Sequence, residues 1–116
     1  MRVSSWKYMG KSEIDTDRPY GLMLGKPNRK RNFDGLTQAA VEIEGRVHTF
    51  SLSRPSFWTT CPELRDDDLS TGETPIRNML ERLGSLTWRT GHPLHFELEV
   101  VGNGTFRLLL PHCGRE

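Results

Sequence analysis

The stretch that decides the fold class is His95-Phe96-Glu97-Leu98-Glu99-Val100-Val101-Gly102-Asn103-Gly104-Thr105-Phe106-Arg107-Leu108-Leu109-Leu110. Phe96, Leu98 and Val100 alternate with His95, Glu97, Glu99 and Val101, and Phe106, Leu108 and Leu110 alternate with Arg107 and Leu109. Successive side chains of a strand point to opposite faces, so this pattern describes two strands with one apolar face each. Between them, Gly102-Asn103-Gly104 predicts a three-residue hairpin loop with Gly104 in the left-handed conformation, over about 95–110. That register sets Val100 against Phe106, Leu98 against Leu108 and Phe96 against Leu110. It also sets Glu99 against Arg107 on the other face, an opposite-charge pair that contributes roughly 0.2–1 kcal/mol.

Upstream, Ala39, Val41 and Ile43 alternate with Ala40, Glu42 and Glu44, and a second hairpin is expected over about 37–52. A type II′ turn at Gly45-Arg46 pairs Ile43 with His48, Val41 with Phe50 and Ala39 with Leu52, which places His48 on the apolar side. Ser53 or Ser56 is positioned to cap a helical turn through Phe57, Trp58 and Thr59, limited by Pro62. Arg65-Asp66-Asp67-Asp68 and Ser70-Thr71-Gly72 read as a solvated loop. Thr74-Pro75 is a helix start, and Ile76, Met79, Leu80 and Leu83 form one apolar stripe of an amphipathic helix over about 75–83, stopped by Gly84. Two hairpins and one helix predict an α+β domain with a mainly antiparallel sheet and the helix packed on it.

The first third reads differently. Residues 1–34 hold eight basic and four acidic side chains, a balance of +4, whereas the remainder carries −3. Gly10, Pro19, Gly21, Gly25 and Pro27 interrupt any sustained period, so an irregular basic arm or wrap is expected over 1–34, with Tyr20, Leu22 and Leu24 adding a short edge strand. The expected organisation is this arm, a single domain over 35–111 and a tail over 112–116. With 116 residues, 34% hydrophobic and 27% charged, the chain supplies one small core and not two. Its apolar runs are far shorter than the ~20 residues of a membrane span. No secretory apolar segment is legible and the two cysteines make no disulfide framework, so a cytoplasmic protein is expected.

Four groups of residues could carry chemistry. Lys26-Pro27-Asn28-Arg29-Lys30-Arg31 sets four cations in six residues, with Phe33 beside them and Trp6, Tyr8 and Tyr20 upstream. Cations neutralise phosphates and aromatic rings stack on unpaired bases, so Lys26, Arg29, Lys30 and Arg31 are expected to contact nucleic acid. Phe57, Trp58 and Trp88, near Arg54, Arg65 and Arg89, have the composition of a protein-binding hot spot, and open sheet edges leave a homodimer available. His48, His92, His95 and His112 with Cys61 and Cys113 mix imidazole and thiol, but no Cys-x-x-Cys knuckle organises them, and no metal or cofactor is assigned. His48 or His95 with Asp66-Asp67-Asp68 could form a base and its orienting carboxylate, though no nucleophile elbow or phosphate loop accompanies them. The reading is therefore a small non-catalytic protein that contacts nucleic acid through its basic N-terminal segment. A protein-interaction module or inhibitor, of the kind mobile elements encode, is the alternative, and a metal-dependent or His-based small hydrolase the third.

Overall fold

A computed structural model describes residues 1–7, 19–88 and 91–110, and within them seven strands form one sheet. The strands are β1 (Arg2–Lys7), β2 (Tyr20–Met23), β3 (Gln38–Ile43), β4 (Arg46–Ser51), β5 (Glu63–Arg65), β6 (His95–Gly102) and β7 (Thr105–Leu109), in the spatial order β4-β3-β7-β6-β1-β2-β5. Every neighbouring pair is antiparallel except β3 and β7, whose parallel contact joins the two hairpins. Helices α1 (Lys26–Asn32) and α2 (Pro75–Arg82) and 3₁₀ turns at Pro55–Trp58 and Asp66–Asp68 complete the described chain. The fold is α+β with a mostly antiparallel sheet and two helices rather than one.

The β3–β4 turn lies one residue earlier than expected, which shifts the strand pairing by two. Glu44 and Gly45 both have positive φ, 52° and 84°, so they are the central pair of a type I′ turn, whose twist matches that of the flanking strands. Ile43 then faces Arg46, Val41 faces His48 and Ala39 faces Phe50. A two-residue shift keeps every side chain on its face, and His48 still points into the buried side. In the second hairpin Val100 faces Phe106, Leu98 faces Leu108 and Glu99 faces Arg107, with a bulge between Val100 and Gly102. Leu110 lies past the end of β7 and is exposed; Phe96 is matched instead by Val3 of β1.

The basic segment is not an irregular arm where it is described. Arg2–Lys7 lies inside the sheet, between β6 and β2, and the basic run is a helix. Both were illegible for a physical reason. The buried face of β1 offers only Val3 and Ser5 before Lys7, and α1 buries no residue at all, so neither element has an apolar stripe.

One face of the sheet is covered. Val3, Leu22, Leu64, Val41, Phe50, Phe96, Leu98 and Phe106 meet Ile76, Met79 and Leu80 of α2 in a single core that also takes Phe33 and Phe57. Phe33, just past α1, stacks on Phe106 at 4.6 Å and meets Phe57 edge-on at 5.8 Å. The opposite face is exposed along its centre, where Arg107 bridges Glu42 at 3.5 Å and Glu99 at 3.2 Å. The Asp66–Asp68 turn lies against β4, so the chain leaving one edge strand touches the other edge strand.

Candidate nucleic-acid interface

Helix α1 is held by its backbone and its polar residues, not by an apolar face. Gly25, at φ 85°, turns the chain out of β2, and Pro27 suits the first turn because it lacks the amide a helix start leaves unbonded. Asn28 donates from Nδ2 to the carbonyls of Leu24 (2.8 Å) and Arg2 (3.1 Å), tying the helix to the start of β1. Arg29 donates from Nη1 to the Phe57 carbonyl at 3.2 Å, and Phe33 anchors the helix end in the core. Lys26, Lys30 and Arg31 are exposed, and so is Arg2 beside them.

The cations of this helix are unpaired among the described residues, as are Lys7 and Arg77, whereas the other described arginines outside α1 and β1 are in ion pairs. Arg46 pairs with Glu73, Arg54 with Asp68 and Glu63, Arg65 with Asp67, Arg82 with Glu44, and Arg107 with Glu42 and Glu99. Among the described residues no carboxylate lies within ion-pair distance of Lys26, Arg29, Lys30, Arg31 or Arg2. Three of these cations occupy the last turn of α1, where the helix dipole favours positive charge. That stabilises the helix without neutralising its field, so the structure brings all four sequence-named cations together and adds Arg2.

The aromatic candidates are not gathered in the same way. Phe57 is buried between Phe33 and Trp58. Trp58 is half-buried, donates from Nε1 to the Leu52 carbonyl at 2.7 Å, and lines an open groove of about 430 Å³ with Leu36 and Leu52. Trp88 stands elsewhere, edge-on to Tyr20 at 6.5 Å and beneath Lys7 Nζ at 5.5 Å.

Of the three aspartates, expected in a solvated loop, Asp67 is exposed, but Asp66 is buried and Asp68 half-buried. Asp66 accepts the amides of Ile76 and Arg77 at 3.0 Å each, capping α2. Burial pushes its carboxyl up to about 6, against the pull of those two amides. Asp67 accepts from Arg65, and Asp68 from Arg54. Glu63 is also buried, with Oε1 3.6 Å from Arg54 and Oε2 unpartnered; desolvation raises its pKa and the Arg54 charge opposes the rise. The carboxylate nearest His48 is Glu73, with Oε1 3.8 Å from Nδ1, in a cleft of about 280 Å³ between the β3–β4 turn and the start of α2. Arg46 and Arg82 line that cleft, already paired with Glu73 and Glu44. Nothing local in the sequence marks Glu73 as the partner of His48, because the turn and the helix meet only through the fold.

Among the described residues no three His, Cys, Asp or Glu side chains converge as a metal site. His112 and Cys113 lie outside the described residues, as do Tyr8 and Arg89. No described helix is long and apolar enough to cross a membrane. The chain has no significant match among protein-family models, curated proteins or solved structures.

Proposed function

We propose that this protein binds nucleic acid through α1, with Lys26, Lys30, Arg31 and Arg2 on phosphates and Arg29 holding the helix against the Phe57 carbonyl. The observation that supports this reading is the contrast in charge pairing among the described residues: the arginines at 46, 54, 65, 82 and 107 are each matched by a carboxylate, and the cations of α1, like Lys7 and Arg77, are not. Unneutralised cations on a rigid support gain most from phosphate, because their binding releases condensed counterions and breaks no internal ion pair. The exposed free thiol of Cys61 fits a reducing, cytoplasmic place of action.

The test is a salt titration of binding to labelled oligonucleotides. Replacing Lys26, Lys30 and Arg31 together by Ala should weaken binding and lower the slope of log K against log salt by roughly two to three units. Arg29 is left in place because it supports the helix. Arg107→Ala serves as the control and should leave the slope unchanged. Salt-insensitive binding, or a triple variant equal to wild type, refutes the reading. The half-buried Trp58 and its groove favour the second reading, a protein-interaction module.

A further inference from the structure

The other end of β1 carries a second set of cations, each laid on an aromatic ring. The Arg65 guanidinium sits 5.1 Å from the ring centre of Trp6, Lys7 Nζ 5.5 Å from that of Trp88, and the Arg77 guanidinium 5.5 Å from that of Tyr20. Among the described residues Lys7 and Arg77 have no carboxylate partner. The arrangement at Trp6 has a structural cause. Trp6 faces Gly21 across one ladder and Gly21 faces Arg65 across the next, so a position without a side chain separates indole from guanidinium.

Arg2, Ser4 and Trp6 lie on the same face of β1, since alternate residues share a face. Arg2 adjoins α1, and the four-residue step to Trp6 spans about 13 Å. Arg2, tied to α1 through its carbonyl and facing Glu97 across the ladder to β6, therefore shares one face of β1 with a half-buried indole already stacked with a cation. A duplex hides the faces of its bases and could use only the charges. A single strand can place phosphates on α1 and Arg2 and an unstacked base against the Trp6 indole, whose cation Arg65 is held in place by Asp67.

We propose, resting on the reading of α1 above, that the ligand is a single-stranded nucleic acid and that Trp6 with Arg65 is its base-stacking position. Tyr20 and Trp88, with Lys7 and Arg77, lie on the other face of the same end of the sheet, beside α2, and are no part of this position.

The test compares three labelled ligands at low salt: an oligothymidylate of about twenty nucleotides, its duplex with oligoadenylate, and an abasic strand with the same phosphates. Wild-type protein should bind the single strand at least tenfold more tightly than the other two, and its tryptophan fluorescence should be quenched only by the strand that has bases. Trp6→Ala should lose about tenfold on the single strand and keep its salt slope, whereas Trp6→Phe should recover most of the loss. The wild-type comparison needs no variant, so it stands even if Trp6→Ala folds poorly. Equal affinity for the base-bearing and abasic strands, or a preference for duplex, overturns this inference alone, provided binding remains salt-dependent and sensitive to the α1 variant. Loss of those two properties overturns the reading of α1 as well.

Discussion

Asp66 closes a helix that begins in the chain nine residues further on: its Oδ1 accepts the Ile76 amide at 3.0 Å in a buried position. Its Oδ2 accepts the Arg77 amide at the same distance. A helix start leaves amide donors without partners, and here a side chain from the preceding 3₁₀ turn supplies them. Thr74, the residue at the cap position, uses its hydroxyl on Asn78 Oδ1 instead.

Asp66→Ala should cost about 2–3 kcal/mol, because two amides at a buried helix end lose their acceptor. Thr74→Ala should stay within about 0.5 kcal/mol, since no cap bond is removed. Urea unfolding of both variants checks this, and equal costs would place the cap at Thr74.

The same carboxyl makes stability depend on pH. Asp66 titrates at 3.8 when exposed and near 6 when folded, so between those values the folded chain holds a proton that the unfolded chain has released. Its contribution is complete below the lower value and falls as pH rises through about 6, by roughly 3 kcal/mol in total. Burial of Glu63 acts in the same direction. Asp66→Asn removes the titration, so it should gain on wild type as pH rises from about 4 to about 7. A gap that is constant over that range, measured by urea unfolding, contradicts the prediction.

Arg54 holds the linker between β4 and β5. It donates to Asp68 Oδ1 and Oδ2 and to the Glu63 carbonyl, and lies beside the Glu63 carboxylate. Arg54→Met leaves Glu63 buried without its cation and should cost about 3–5 kcal/mol. Glu63→Gln keeps the Arg54–Asp68 pair and removes a buried charge, so it should cost far less. Denaturant midpoints of the two variants and their double variant check both statements.

Gly21 is required by its neighbours rather than by its own φ. A Cβ there would lie 2.4 Å from the Leu64 carbonyl oxygen, which binds β2 and β5 closely together. Gly21→Ala should therefore cost about 2–3 kcal/mol by forcing two strands apart. It should also change tryptophan emission, because Arg65 and Trp6 flank this residue. Gly45→Ala meets open space and pays only for positive φ, about 1 kcal/mol. Thermal unfolding separates the two costs.

Legibility followed the range of the interaction that decided each feature. The alternation in 38–51 and 95–109 marks strands and their buried faces, because half of each strand faces a core and its own residues record it. The exact turn in 44–45 was not legible, since a shift of two residues leaves the apolar pattern unchanged. The cations of α1 could be named from composition. Their being unpaired could not, because pairing depends on which carboxylates the fold brings near.

By itself the sequence determined the α+β class and the concentration of positive charge before residue 34. Those properties are carried by neighbours in the chain, through periodicity and local charge. Tertiary structure alone decided that β3 joins β7 in parallel, that Arg2–Lys7 enters the sheet, that Asp66 and not Thr74 caps α2, and that Glu73 lies beside His48. Each of these joins residues distant in the chain or chooses between partners of equal local chemistry. The choice is made where burial leaves a polar group one available partner, or an apolar face one surface to cover it.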